Sequence, residues 1–165
     1  MLAKPLFTLL ALSLGSIAQA SCFDSGTPLF HCTFENGSKT ADVCLQGEVV
    51  VYSFGNTGQA PDMIAARREI GVEMTPWNGI GRSIYEDMTI YNNVYSYILS
   101  YEVDRNVESA PILGRLIVAE GDSEIADFAC DKGSVTEANF YPLFEAKDVA
   151  GQKYCPETFS WGAGC

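Results

Sequence analysis

The sequence predicts a mainly β chain: one antiparallel barrel or sandwich of about eight short strands, with a short C-terminal helix and disulfides to hold it. Three observations predict it. Short runs of alternating apolar and polar residues recur along most of the chain. Gly, Pro, Asn and Asp stand between those runs as turn punctuation, with no repeat, low-complexity tract or linker. Six cysteines, an even number, follow a leader-like start, the usual mark of an exported disulfide-bonded domain.

The elements follow in order. Residues 29–34 and 40–45 flank Asn36-Gly37, a pair that tolerates positive φ and so predicts a hairpin. A third strand is expected over 48–54, a fourth within 62–69 and a short one within 71–76. The clearest hairpin joins 83–91 to 94–103 through Asn92-Asn93. That turn sets Met88 opposite Tyr97 and Glu86 opposite Leu99. It gathers Ile84, Met88, Ile90, Tyr95, Tyr97, Leu99, Tyr101 and Val103 on one face, with Ser96, Ser100, Glu102 and Asp104 on the other. A further hairpin, 112–119 with 123–130 around Gly121-Asp122, carries apolar residues on both faces. Leu116, Val118 and Ile125 lie on one side and Ile117, Ala126 and Phe128 on the other, which predicts cover on both sides by the C-terminal segment. Ser134-Val135-Thr136-Glu137 has the form of a helix capping box, and Pro142 opens a helix through Asp148. Residues 152–165 read as an irregular tail held by two cysteines.

Residues 1–20 read as a signal peptide. Lys4 supplies the positive start, residues 6–14 the apolar run, and Ala18-Gln19-Ala20 the small-x-small cleavage site. Residues 21–165 then form one exported domain, soluble and not lipid-anchored, periplasmic or secreted, with no transmembrane segment. Without Lys4 the chain holds 9 basic and 21 acidic residues, a net charge of −12. Such a charge excludes nucleic acid as a partner and favours a basic protein. Cys22, Cys32, Cys44, Cys130, Cys155 and Cys165 are expected to form three disulfides, with the pairing open. There is one histidine and no C-x-x-C pair, so neither a metal site nor a cofactor is expected.

No catalytic residue is assigned. His31 is the one candidate base, it falls beside Cys32 in a strand, and the alternation turns it outward. G-x-S-x-G, H-E-x-x-H and P-loop motifs are absent. The binding residues expected are Trp77, Asn78, Arg82 and Glu86. The first three belong to the loop 75–82, where Pro76, Gly79 and Gly81 shape a turn around a tryptophan and an arginine, two types that dominate interface hot spots. Glu86 shares the inward face of its strand with Ile84 and Met88, so it needs a partner or an opening, and Arg82 is the expected partner. The tyrosines 95, 97 and 101 read as core rather than as a stacking platform. Asn36-Gly37-Ser38 fits the glycosylation pattern and equally a plain turn.

The stretch Phe30-His31-Cys32-Thr33-Phe34, then Gly37-Ser38-Lys39, Val43-Cys44-Leu45, Tyr52 and Phe54-Gly55, resembles the opening of small exported bacterial proteins of unassigned function. Trp77-x-Gly79-x-Gly81-Arg82, the tyrosine-rich strand and Asp104-Arg105 are similar to the same group. That resemblance spans residues 30–105 and implies no activity. In size, export, acidity and β content the chain also resembles the C-type periplasmic lysozyme inhibitors, though it lacks their S-G-x-x-Y and Y-x-x-x-T-K-G stretches. That likeness implies architecture only. Three functions are therefore expected, in order. The first is a non-catalytic cell-envelope binding protein, an inhibitor of a basic cell-wall hydrolase or toxin. The second is a carboxylate-dependent hydrolase using Glu86, and the third a structural envelope module.

Overall fold

The computed structural model describes Cys22 and residues 26–165, so residues 1–20, expected to be a signal peptide, lie outside the described residues. Eight strands of six residues or more carry the fold: β1 (Thr27–Phe34), β2 (Lys39–Gln46), β3 (Val49–Asn56), β4 (Met63–Arg68), β6 (Ser83–Asn92), β7 (Tyr95–Asp104), β8 (Leu113–Glu120) and β9 (Ser123–Ala129). Four shorter ones, β5 (Glu73–Thr75), β10 (Glu137–Ala138), β11 (Lys153–Cys155) and β12 (Ser160–Gly162), trim their edges. The strands form two antiparallel five-stranded sheets, ordered β10-β1-β2-β3-β4 and β5-β6-β7-β8-β9, and a small β11-β12 hairpin. Neither large sheet closes on itself, so of barrel and sandwich the structure is sandwich-like.

The alternation explains the layers. Phe30, Cys32, Phe34, Ala41, Val43, Val50 and Tyr52 of the first sheet bury against Met88, Ile90, Leu99, Tyr101 and Leu116 of the second, in one cluster. Aromatic pairs cross the gap, with Tyr52 on Tyr97 at 5.1 Å and Phe34 on Phe128 at 5.9 Å between ring centres. The helix α1 (Tyr141–Val149) starts with Pro142 in its first turn and buries Leu143 and Lys147, one turn apart. Just before it, Phe140 packs against Phe30 and edge-on to Tyr101.

The disulfides are Cys22–Cys44, Cys32–Cys130 and Cys155–Cys165. The second ties β1 to the end of β9, across both sheets. It closes 98 residues, so the chain-entropy model assigns it about 4.7 kcal/mol. Beside it, Asp131 accepts hydrogen bonds from the backbone N–H groups of Asn36 (3.0 Å) and Gly37 (2.7 Å) and from the Thr33 hydroxyl (3.0 Å). Burial works to raise its pKa, and these three donors outweigh it and hold the carboxyl below its usual range. The β1–β2 connection is a four-residue loop in which Glu35, Asn36 and Gly37 all take positive φ. The amides of Asn36 and Gly37 point at one carboxylate, an arrangement suited to an anion.

Four expectations are corrected. The β6–β7 turn is Asn93-Val94, not Asn92-Asn93. Asn93 takes φ 57°, and the Val94 carbonyl accepts from the Gly121 amide. Pairing slips by two, so Met88 faces Leu99 and Glu86 faces Tyr101, yet a two-residue slip keeps every side chain on its face. A bulge after Val118 leaves Ile125 without a partner and carries Phe128 to the core side, opposite Leu116. The hairpin therefore has one core face, not two covered ones, and Ile125 is exposed. The Ser134 segment is not helical. Its hydroxyl bonds both the N–H and the C=O of Thr33, completing the β1 edge where β10 takes over. The tail is ordered as the β11–β12 hairpin under its disulfide.

Candidate functional site

The loop between β5 and β6 is built as a self-supporting cap. The Trp77 indole N–H donates to the Ile80 carbonyl (3.1 Å), and the Asn78 side chain accepts from the Ile80 amide (3.0 Å). Gly79 and Gly81 have φ of 80° and 102°, which a side chain would strain. The guanidinium of Arg105 lies 5.1 Å from the Trp77 ring centre. Trp77 is half-buried, whereas Asn78 and Arg82 are exposed and Ile80 projects at 77% exposure.

Arg82 does not pair with Glu86. It pairs with Asp104 at 2.6 Å, because Asp104 sits opposite Ser83 at the start of the β6–β7 ladder. The hydrogen bond of that pair raises the pKa of the one and lowers that of the other. Glu86 is half-buried on the inner face, as its alternation requires. It accepts from the Tyr101 hydroxyl (2.7 Å) and, at 3.4 Å, from the Trp77 amide. Burial and the Glu86 carboxylate push the Tyr101 hydroxyl to a raised pKa. Trp77 and Glu86 thus meet, and Arg82 faces away with Asp104.

His31 is held rather than free. It lies against Asp42 at 2.6 Å, and that hydrogen bond raises its pKa. Backbone pairing sets Asp42 between His31 and Ser53. A nucleophilic triad needs the imidazole in the middle, so this row is not one.

The outer face of the second sheet carries what alternation alone did not reveal. Residues 83–131 contain ten carboxylates and two arginines, a net charge of −8 out of −12, with Glu86 turned inward, Asp131 bonded to the β1–β2 loop, and the cations Arg82 and Lys132 flanking the segment. Arg115 is bound to Asp127 at 2.5 Å, and Arg105 covers Trp77. Tyr85, Tyr91 and Leu113 on the outer face, Val94 at the turn and the bulged Ile125 are exposed among these acids, and Tyr95, expected in the core, is instead exposed because it opens β7 beside that turn. Beside β5 and β6 the C-terminal hairpin overhangs the sheet and encloses a cleft of about 200 Å³, lined by Glu73, Asp87, Lys147, Phe159 and Trp161. Asp87 is half-buried, and burial raises its pKa. Hydroxyls of Thr75 and Tyr85 bond it, and the charges of Glu73 and Glu86 push in the same direction as burial. Lys147 is 1% exposed and donates to the carbonyls of Glu69 (3.0 Å) and Val72 (2.6 Å), with burial lowering its pKa to about 8. Asp87 falls on the polar side of an alternating strand and so reads as a solvated acid. Only the tail's return over that strand, more than sixty residues later, marks it out.

Compared with family models, with curated proteins and with solved structures, the chain matches none of them. Its three disulfides fit an oxidising compartment, and no helix among the described residues is long and apolar enough to cross a membrane.

Proposed function

We propose that this chain is a non-catalytic binding protein of the cell envelope, periplasmic or secreted, that docks a basic protein on the outer face and hairpin tips of its second sheet. A basic cell-wall hydrolase or toxin is the class of partner it would inhibit. The observation that carries the reading is the concentration of eight of the twelve excess negative charges in residues 83–131, interleaved with exposed tyrosines and aliphatics. Aromatic anchors within a field of one sign suit a partner of the other sign. At one end of the same sheet the Trp77 cap adds Ile80 and the edge of Arg82 to the surface. Immobilised cationic lysozyme at low salt is the test. The chain should be retained, and its association rate should fall as salt rises and in the triple variant Glu120→Gln, Asp122→Asn, Glu124→Gln. No retention by lysozyme at low salt counts against the reading.

The cleft holding Glu73 and Asp87 favours a second reading, a carboxylate-dependent hydrolase in which the raised pKa of Asp87 suits a general acid. Turnover of a cell-wall glycan that disappears in Asp87→Asn would replace the binding proposal with this one.

A further inference from the structure

We infer that the cleft between the C-terminal hairpin and the β5–β6 edge receives one lysine or arginine side chain of the basic partner; this rests on the partner reading above. Its shape comes first. Trp161 forms the inner wall and is fixed there, its indole N–H donating to the Met74 carbonyl at 2.7 Å and its ring meeting Phe144 edge-on at 5.1 Å. Phe159 forms the lip. It is 70% exposed and its backbone is held at φ 51°, a region that costs a phenylalanine energy, so the ring is projected outward rather than folded onto the core. An alkyl stem can lie along these two rings, as long cationic side chains do on apolar surface.

Charge comes second. Glu73 and Asp87 sit on adjacent strands, since Glu73 pairs with Thr89 and Thr75 with Asp87, so both carboxylates face the same side of the sheet. Among the described residues neither takes part in an ion pair. Their partners are hydroxyls, that of Tyr91 on Glu73 at 2.8 Å and those of Thr75 and Tyr85 on Asp87. Lys147 is the one cation in the wall. Its ammonium is turned to two backbone carbonyls and lies 4.8 Å from the centre of the Trp161 ring. The folded cleft therefore holds two carboxylates, Glu73 exposed and Asp87 half-buried, and one ammonium, that of Lys147, on which Glu73 already acts electrostatically, so the cleft is one counter-charge short. An ammonium or guanidinium guest supplies that charge and forms charge-assisted hydrogen bonds with both. A neutral sugar would use the hydroxyls and rings but leave the charge uncompensated.

The test is a two-dimensional amide NMR titration of the mature chain with N-acetyl-lysine methylamide and N-acetyl-arginine methylamide. Saturable shifts should be confined to amides of residues 73–75, 87–89 and 159–161 and to the Trp161 indole N–H. The double variant Glu73→Gln, Asp87→Asn should weaken binding at least about tenfold, by loss of both charge-assisted contacts. Phe159→Ala should weaken it less, and Glu145→Gln, on the exposed side of α1, should leave it unchanged. Absence of saturable shifts in the unmodified chain overturns the inference, as do shifts centred elsewhere or shifts of these amides by N-acetylglucosamine but not by the cations. Lysozyme retention that survives such a negative titration leaves the partner reading standing without the pocket. Cation binding without lysozyme retention removes the partner reading and leaves a cation site.

Discussion

Replacing Lys147 with methionine, and following stability with pH, tests the account of the buried ammonium. At pH 7 the folded chain carries that ammonium against burial, which lowers its pKa from 10.5 to about 8. A folded-state pKa below the unfolded one means that the unfolded chain binds the proton more tightly. The cost of burying the charge is then full below pH 8 and is relieved as pH rises towards 10.5. With about 1.4 kcal/mol per unit, stability should rise by about 2–3 kcal/mol between about pH 7 and about pH 10 from this group alone. The neutral amine keeps two N–H donors, enough for the Glu69 and Val72 carbonyls it already serves. Methionine fills similar space but serves neither, so the variant loses about 3–6 kcal/mol of charge-assisted bonding while escaping about 3 kcal/mol of desolvation. At pH 7 the variant should be about 0–3 kcal/mol less stable, and that gap should widen by about 2–3 kcal/mol by about pH 10. Urea titrations of both chains across this range give the difference directly, and tyrosine titration cancels in it. A gap that stays constant, or narrows, refutes the reasoning.

Four further outcomes follow from the same geometry. The Tyr52 hydroxyl is buried with no hydrogen-bond partner, so Tyr52→Phe should raise stability by about 1 kcal/mol in urea unfolding. A Cβ at Gly114 would stand 2.5 Å from the Cys130 sulfur and 3.1 Å from Phe30, so Gly114→Ala should destabilise by about 1–3 kcal/mol through overpacking. Tyr101→Phe removes the 2.7 Å donor to Glu86 and should cost about 1–2 kcal/mol, read as a lower urea midpoint with an unchanged slope. The Asp42 hydrogen bond raises the His31 pKa, with Glu137 adding charge of the same sign; the stability it brings is complete below 6.5 and lost as pH rises through the raised value. His31→Gln should therefore cost more at about pH 5.5 than at about pH 9.

Period-two patterning made much of the fold legible. The eight long strands fall where alternation and turn residues put them, because burying one face against another sheet is what that pattern does. The β6–β7 register differs by two from the one alternation predicts, since two adjacent asparagines offer two turns and only the contact between Val94 and Gly121 selects one. The bulge at Ile125 was invisible because an isoleucine there fits either face. Ser134 has the letters of a helix cap, but its hydroxyl finds the Thr33 backbone, a partner about a hundred residues away. The same limit hid the cleft: Glu73, Asp87, Lys147, Phe159 and Trp161 come from four separate elements or their flanks, and local pattern carries no information on their convergence. The expected loop residues were placed correctly as a loop. Arg82 went to Asp104 rather than Glu86 because a neighbour across the ladder outranks a same-face residue two pleat repeats along the strand.

The clasp between Cys32 and Cys130 gives the molecule a tolerance to being cut. A protease that severs the backbone once between those positions, at the exposed Ile80 cap for example, produces two pieces that remain covalently one. Such a nicked chain keeps both sheets in register and travels as a single species until a reductant separates it. Loss of one peptide bond then need not mean loss of either sheet's surface.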